Sequence, residues 1–265
     1  MIVCVIGGGK IGGAVARSIA TSRLASKVIV SKRSANHFEN GNLPGLELTN
    51  DNKAAVSQLE FVILAVKASD AKAVLSQIRD SVGGKIILSL MAAIRIKKLV
   101  ESLPRAKVAR AMPNIAALVN ESITPYSLGS GFAGEDIALL EKVVGCFGDY
   151  FQVDESLMDA ITGLSGSGPA YVAVIVEAMV SAGLKVGIPR EIALKLTLKT
   201  LLGTAKILIE KPVHPAELRD AVTTPGGTTI AGLYELEKAQ IRTGIMNAVE
   251  AATFAAASVA KRLNE

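Results

Sequence analysis

A glycine-rich segment near the start of the chain constrains the fold more than any other feature. Gly7-Gly8-Gly9-Lys10-Ile11-Gly12 fits the pattern G-x-G-x-x-G, directly after an apolar run at residues 3–6 and before a helical run at residues 14–20. In this setting the first glycine permits a tight turn, the second lets the backbone approach a pyrophosphate, and the third lets helix and strand pack closely. Free N–H groups at the helix N-terminus favour phosphate. The segment predicts the first βα turn of a dinucleotide-binding domain; a purely structural glycine turn is the alternative.

The first half of the chain alternates between short β-rich runs and helical patterns, which is typical of βαβ units. Residues 71–82 and 135–146 repeat apolar side chains every three or four positions, and we interpret Asp70 and Gly134 as their caps. This alternation predicts an N-terminal Rossmann-type, doubly wound, mostly parallel sheet in residues 1–154. The predicted strands are residues 3–6, 28–30, 46–49, 61–66, 85–90, 107–111, 123–128 and 150–153.

The strand signal stops after Asp154, and alanine-rich helical patterns interrupted by glycine and proline continue to the last residue. We therefore predict an all-helical domain in residues 155–265. Its last helix carries six alanines between residues 248 and 257, so neighbouring backbones can approach it closely. So much apolar helix surface is more easily buried between two copies than within one, which predicts a homodimer.

Composition excludes several classes of protein. Half of the residues are hydrophobic, and the net charge of +5 comes from scattered basic residues, so we expect no nucleic-acid partner. Cys4 and Cys146 lie in apolar surroundings and form no spaced cluster, which indicates reduced thiols and no metal site. The first residues have no basic lead-in, and charged residues interrupt the apolar stretches, so we expect a cytoplasmic protein without a membrane span.

The residues after the second predicted strand indicate which nicotinamide cofactor is bound. Sites for NAD usually carry Asp or Glu about 20 residues beyond the glycine motif, to bind the ribose 2′-hydroxyl. Here Ser31, Lys32 and Arg33 provide a hydroxyl and two cations, which suit a 2′-phosphate. We expect NADPH, with NADH as the second choice. The alternative is that both basic side chains simply point into solvent.

Three further segments are marked by glycine and proline, at residues 110–114, 162–171 and 220–229. The third is the most informative, because Gly226-Gly227-Thr228-Thr229 opens a predicted helix with free N–H groups and two hydroxyls. Such a turn suits a carboxylate. An ordinary helix cap by Thr228 or Thr224 is the alternative.

The residues that are missing from these segments restrict the reaction. A dehydrogenase acting on an alcohol needs a general acid or base, commonly His or Lys. The two histidines, His37 and His214, lie outside the three segments, and the helix predicted after Pro169 has its first lysine only at Lys185. Reduction of a C=N bond suits this set, because a protonated imine is already electrophilic and the product amine keeps its proton.

The three segments, in this order and spacing, resemble pyrroline-5-carboxylate reductases over essentially the full chain. The similarity is strongest at residues 162–171, in the alanine-rich helix that follows, and from His214-Pro215 through Asp220 to Thr229-Ile230. The resemblance implies reduction of Δ1-pyrroline-5-carboxylate to proline with NAD(P)H, the last step of proline biosynthesis. It also implies a Rossmann domain followed by a helical dimerisation domain, in dimers that often assemble into larger rings.

The resemblance also implies roles for the positions that match family motifs. In the family's dimer, substrate-binding residues of one subunit lie close to the cofactor of the other. Thr229 matches the threonine that bonds the pyrroline nitrogen, Gly226, Gly227 and Thr228 hold the substrate carboxylate, and Glu155 aligns with an acidic residue near the substrate in some members. The implied cofactor contacts are Gly7, Gly8, Gly9, Lys10, Ile11 and Gly12 at the pyrophosphate, Ser31 and Arg33 at the 2′-phosphate, Asn52 at the adenosine ribose, Ala65, Val66 and Lys67 along the cofactor, and Met112 and Asn114 beside the nicotinamide.

The chain departs from the family pattern at four positions: Ala68 and Ala116 replace prolines, Ala93 replaces a glycine, and Ala221 replaces an asparagine found in some members. These departures affect the cofactor preference and the nicotinamide pocket more than the reaction. Two other hypotheses are compatible with the same architecture: the protein is a different NADPH-dependent cyclic imine reductase, or it is a β-hydroxyacid dehydrogenase. The missing catalytic lysine argues against the second. A third hypothesis is a protein that binds NADPH without catalysing a reaction. The turn that suits a carboxylate would then have no function.

Overall fold

The computed structural model describes residues 1–33, 43–57 and 59–264. Within these residues eight strands form a single sheet. They are β1 Ile2–Ile6, β2 Lys27–Ser31, β3 Leu46–Thr49, β4 Phe61–Leu64, β5 Ile86–Ser89, β6 Lys107–Ala111, β7 Ser122–Leu128 and β8 Gly148–Gln152.

Helices connect the strands and make up the described residues after β8. The α-helices are α1 Lys10–Ser22, α2 Asn52–Ser57, α3 Ala71–Ile78, α4 Ile96–Ser102, α5 Gly134–Val144, α6 Met158–Ile161, α7 Gly168–Lys185, α8 Arg190–Glu210, α9 Pro215–Ala221, α10 Thr228–Lys238 and α11 Ile241–Asn264. Short 3₁₀ turns occupy Ala68–Asp70, Arg79–Ser81, Ile115–Val119, Gly145–Phe147 and Glu155–Leu157, and a π-helical turn occupies Thr162–Gly166.

The strand order is β3-β2-β1-β4-β5-β6-β7-β8. Strands β1 to β6 are parallel, β7 runs antiparallel to β6, and β8 runs parallel to β7. The first six follow the doubly wound order, in which ligands bind at the carboxyl ends of the strands where the order reverses, here between β1 and β4. The predicted Rossmann-type, mostly parallel sheet followed by an all-helical region is therefore confirmed, and each predicted strand ends within two residues of an observed one.

The central strands of the sheet are buried on both faces. Along β1, Val3 and Val5 pack on one side with α1, whereas Cys4 and Ile6 pack on the other side with residues of α3 and α4. Alternate side chains of a strand point to opposite faces, so an unbroken apolar run is what a doubly covered parallel strand requires. Burial raises the pKa of the Cys4 thiol to about 12. Cys4 and Cys146 are both free thiols.

The two helix caps differ from the sequence interpretation. The Asp70 side chain makes no capping bond to α3, and its carboxylate instead pairs with Arg33. Ala133, not Gly134, is the N-cap of α5, where the Asp136 carboxylate accepts a hydrogen bond from the Ala133 N–H at 2.7 Å. The hydrogen bonds from Lys107 and Ala133 lower the pKa of Asp136.

The chain divides into two compact units. The first unit is Met1–Pro169 with Val249–Glu265, and the second unit is Ala170–Ala248. In the second unit only Val180, Ala193 and Thr197 are buried. The helical stretch Glu155–Lys185, which spans the division, is long and apolar enough to cross a membrane by length and composition alone, and 6% of its most apolar window is buried. The expectation that charged residues interrupt every such stretch is therefore wrong for these residues.

Candidate functional site

The glycine turn between β1 and α1 is fixed by contacts that tolerate no side chain at two positions. Gly7 has φ +110, and a Cβ there would lie 2.6 Å from the carbonyl carbon of Ala65. A Cβ on Gly12 would lie 1.9 Å from the carbonyl oxygen of Gly7. At Gly9, by contrast, a Cβ would meet nothing within 4 Å. Gly7 and Gly12 are therefore required by the fold, whereas Gly9 leaves space for something outside the chain.

This space belongs to a cleft of about 320 Å³ in the first unit, which we call the glycine-turn cleft. It lies at the carboxyl ends of β1, β2 and β4, where the strand order reverses. Ten of the predicted cofactor positions line it: Gly7, Gly8, Gly9, Ser31, Lys32, Arg33, Asn52, Ala65, Val66 and Lys67. Lys10, Ile11, Gly12, Met112 and Asn114 are not among its lining residues, and sequence reasoning missed four that are, namely Ile6, Asn50, Asp70 and Val74.

Polar side chains hold one wall of the glycine-turn cleft. The Ser31 hydroxyl donates to Asn52 Oδ1 at 2.6 Å, and Asn52 Nδ2 donates to Gln77 Oε1 at 2.7 Å. Arg33 Nη2 donates to Asp70 Oδ2 at 2.5 Å. The end of β2 and the start of α2 thus bring a hydroxyl, a guanidinium and an amide to one wall of the cleft, which is the donor set that a phosphorylated ribose requires.

The segment that follows β6 meets the segment at residues 162–166 within the first unit. Asn114 Oδ1 accepts a hydrogen bond from Ala116 N at 3.0 Å, and its Nδ2 lies 3.4 Å from the carbonyl oxygen and the hydroxyl of Ser165. The buried side chain of Met112 also lies close to this segment. A Cβ built on Gly166 would be 3.9 Å from the Met112 sulfur. Two of the three glycine- and proline-marked segments are therefore neighbours.

The π-helical turn Thr162–Gly166 packs against the alanine-rich helix α11. A Cβ on Gly163 would lie 2.4 Å from Thr253 Oγ1 and 2.9 Å from the carbonyl oxygen of Val249. Gly163 thus lets the backbone of this turn approach α11 closely. π-helical turns occur frequently at functional sites.

The turn before α10 lies in the second unit and opens that helix with two glycines and two threonines. Gly226 has φ +70, and the Gly227 N–H donates to the Thr224 carbonyl at 3.0 Å. Gly227 is the N-cap of α10 and no side chain caps the helix, so the alternative of an ordinary cap by Thr228 or Thr224 is wrong. The exposed Thr228 and the half-buried Thr229 lie in the first turn of α10, beside N–H groups without helical acceptors.

Glu155 makes its contacts within the first unit. Its Oε1 accepts from the Ile96 N–H at 2.7 Å, at the start of α4, and lies 3.3 Å from Arg110 Nη1. Arg110 is 1% exposed, and its Nε and Nη2 have no hydrogen-bond partner. The next carboxylate, on Asp159, lies 3.9 Å from Nη2. Glu155 therefore offsets the charge of Arg110, which is buried near the carboxyl end of β6.

Of the two histidines, the structure describes His214, which the sequence places outside the three glycine- and proline-marked segments. His214 is the N-cap of α9, and its Nδ1 accepts from the Ala216 N–H at 3.2 Å, so its role is structural. His37 lies outside the described residues. Across residues 1–33, 43–57 and 59–264, no three His, Cys, Asp or Glu side chains are grouped to hold a metal ion.

Comparison with known proteins matches two segments of the chain to family models. Residues 155–259 match the family described as pyrroline-5-carboxylate reductase dimerisation. Residues 2–93 match the family described as NADP oxidoreductase, coenzyme F420-dependent. Residues 94–154, which include β6 to β8, lie between the two matches.

Several relatives that match most of the chain are named pyrroline-5-carboxylate reductase. A pyrroline-5-carboxylate reductase of Arabidopsis thaliana is 37% identical over 254 residues, which cover 93% of this chain and 91% of the relative. One of Methanosarcina acetivorans is 40% identical over 207 residues, 77% of each chain. The crystal structure of Plasmodium falciparum pyrroline carboxylate reductase with NADP bound superposes with a TM-score of 0.90, at 28% identity, over 98% of both chains.

Proposed function

The chain belongs to the pyrroline-5-carboxylate reductase family, and on that premise we propose that it reduces Δ1-pyrroline-5-carboxylate to L-proline, the last step of proline biosynthesis. The observation that carries this proposal is 37% identity to a reductase of this name over 93% of the chain. The enzyme is an NAD(P)H-dependent oxidoreductase that acts on a C=N bond.

The glycine-turn cleft fits the cofactor NADPH. Gly9 leaves room where a pyrophosphate approaches the backbone, and Ser31, Lys32 and Arg33 supply the donors and charge that a 2′-phosphate needs. NADPH, when bound, supplies the hydride for the reduction. The other cofactor contacts that we propose are Gly7, Gly8, Lys10, Ile11, Gly12, Asn52, Ala65, Val66, Lys67, Met112 and Asn114.

The second unit binds and orients the imine in this proposal. Gly226, Gly227 and Thr228 hold the substrate carboxylate with the free N–H groups at the start of α10, whose positive end favours the negative charge. The Thr229 hydroxyl bonds the ring nitrogen and so fixes which face of the C=N bond is reduced. No side chain has to abstract a proton, which agrees with the absence of a catalytic histidine or lysine from these segments.

Thr229 is tested by two substitutions. Thr229→Ala removes the hydroxyl, so we expect kcat to fall about ten- to hundred-fold while the Kd for NADPH changes less than about two-fold. Thr229→Ser keeps the hydroxyl and is expected to restore most of the activity. If Thr229→Ala turns over at the unaltered rate, Thr229 has no part in the mechanism.

Glu155 is proposed as a substrate-binding residue, and a matched measurement separates that role from its contacts with Ile96 and Arg110. Glu155→Gln keeps an acceptor for the Ile96 N–H and removes the charge. A raised KM for the imine with an unchanged thermal midpoint supports substrate binding. A lowered midpoint with an unchanged KM assigns Glu155 to the fold alone.

The dimerisation family that matches residues 155–259 supports a homodimer, and we propose that the division between nucleotide-binding and dimerisation domains falls between residues 154 and 155. The exposed apolar residues of α7 and α8 form the surface that the partner covers. We further propose that the site is shared between subunits, that dimers assemble into rings, and that the enzyme is cytoplasmic.

The activity itself is tested by following NADPH oxidation by absorbance after addition of Δ1-pyrroline-5-carboxylate, with NADH at equal concentration in parallel. We expect turnover with proline as product and a higher kcat/KM with NADPH. Turnover of a different cyclic imine with none of this substrate would replace the proposed function by that of a related imine reductase.

A further inference from the structure

The glycine-turn cleft contains one carboxylate in a position that otherwise favours anions. Asp70 ends the 3₁₀ turn Ala68–Asp70, just beyond β4, and its Oδ2 lies 2.5 Å from Nη2 of Arg33, just beyond β2. Both residues line the cleft. The guanidinium expected to bind a 2′-phosphate is therefore held by an acid of the same chain.

Asp70 has no other structural task that the described residues show. Its carboxylate does not cap α3, and within the described part of the chain its side chain pairs with Arg33. The Asp70 side chain is 32% exposed and that of Arg33 is 87% exposed, so the pair contributes little to the stability of the fold. An acid that does so little for the fold and lies in a binding cleft acts on what binds there.

We propose that Asp70 is a specificity-determining residue, which competes with the 2′-phosphate for Arg33 and so reduces the preference for NADPH over NADH. This inference rests on the proposed use of a nicotinamide cofactor. To engage a 2′-phosphate, Arg33 gives up or shares its bond to Asp70, and the released carboxylate then lies near a second anion. NADH has a hydroxyl at that position, so its binding leaves the pair intact. Selectivity is a difference of two affinities, and a repulsive group lowers one of them.

The first test compares two fragments that differ only in the 2′-phosphate. Adenosine 2′,5′-bisphosphate and adenosine 5′-monophosphate are titrated by calorimetry into the wild type and Asp70→Asn. An exposed ion pair contributes modestly, so we expect the bisphosphate to bind about two- to five-fold more tightly to Asp70→Asn and the monophosphate to bind equally well to both. Fluorescence titration should show the same shift in the ratio of Kd values for NADPH and NADH.

Two further variants separate competition for Arg33 from general electrostatics. Asp80→Asn removes the same charge from an exposed residue of the turn Arg79–Ser81, outside the cleft, and is expected to leave both fragments unchanged. In an Arg33→Gln background, Asp70→Asn should lose most of its effect, because there is no guanidinium to release.

Four outcomes would overturn the proposal: equal tightening of both fragments, no change in either, weaker binding of the bisphosphate, or a full gain that persists without Arg33. Weaker binding would make Asp70 a residue that positions Arg33 for the phosphate. All of these are binding measurements without substrate. A chain that binds NADPH but reduces no pyrroline carboxylate would contradict the proposed function and leave this test intact.

Discussion

The two compact units bury their apolar residues to very different extents. In the first unit the central strands are covered on both faces, with residues such as Val5, Ile63 and Leu88 fully buried. In the second unit, Leu198 and Leu202 of α8 are 49% and 58% exposed, and exposed apolar side chains continue along α7 and α10. Burying one leucine stabilises a protein by about 1.5–3 kcal/mol. The first unit therefore obtains its core from its own chain, whereas the second needs another surface to cover it.

The largest effect is expected from charge on the exposed face of α8. Leu198 and Leu202 are four residues apart and share one side of the helix. At the surface of a monomer, replacing both by glutamate changes stability by less than about 1 kcal/mol. Between two subunits it places charges in an apolar interface, so we expect the Leu198→Glu, Leu202→Glu protein to sediment as a monomer without activity. Thr200→Glu, at an exposed position on the opposite side of α8, is the control; a dimeric double variant contradicts the comparison.

Within the first unit, Gly12→Ala and Gly9→Ala separate the demands of packing from those of binding. A Cβ at position 12 meets the Gly7 carbonyl at 1.9 Å, so we expect a loss of about 3 kcal/mol or more in the free energy of unfolding, with loss of NADPH binding. At position 9 the Cβ meets nothing, so Gly9→Ala should keep its thermal midpoint and bind NADPH more weakly. A lowered midpoint for Gly9→Ala would show that this glycine also belongs to the fold.

The first unit also carries an acid-sensitive contact, because Lys107 and Ala133 hold Asp136 in its charged form. Since the folded pKa is lowered, the stabilisation is complete above the usual aspartate value of 3.8 and is lost as the pH falls through the folded value. At neutral pH, Asp136→Asn should have a free energy of unfolding about 1–2 kcal/mol lower than the wild type. In acid, where Asp136 of the wild type is protonated, the two proteins should be equally stable. Urea titrations at several pH values measure it, with the neighbouring exposed acid changed in Glu135→Gln as control. A deficit independent of pH would assign the effect to packing.

The smallest effects are expected from one glycine substitution in each unit. Arg23 ends α1 with φ 58, and Gln240 follows α10 with φ 55, so both exposed residues adopt the left-handed conformation that favours glycine. Arg23→Gly and Gln240→Gly should each stabilise the protein by about 0.5 kcal/mol, after the higher entropy of unfolded glycine is subtracted. Calorimetry shows whether the two gains fall in one unfolding transition. A single transition raised by both variants would indicate that the units unfold together.

Local patterns were enough to predict all eight strands. Apolar runs between turn residues mark the central strands, because both of their faces are covered. Local patterns also predicted six lining residues of the cleft, in the glycine turn and at the end of β2, and the family resemblance implied four more, namely Asn52, Ala65, Val66 and Lys67. The departure at Ala93 was visible as well. Its φ of +68 gives the physical reason for the family's glycine there, because the left-handed region favours a residue without Cβ.

The sequence by itself determined the Rossmann-type sheet, the glycine turn and the threonine-bearing turn before α10, because glycine conformation and side-chain periodicity are local properties of the chain. Only the tertiary structure decided that Asp70 binds Arg33 instead of capping α3, and that Glu155 contacts Arg110 and the start of α4. These partners are 37 and 45 residues apart in the chain. A charged side chain pairs with whatever opposite charge the fold brings within a few ångströms, and neighbouring sequence carries no record of that distance.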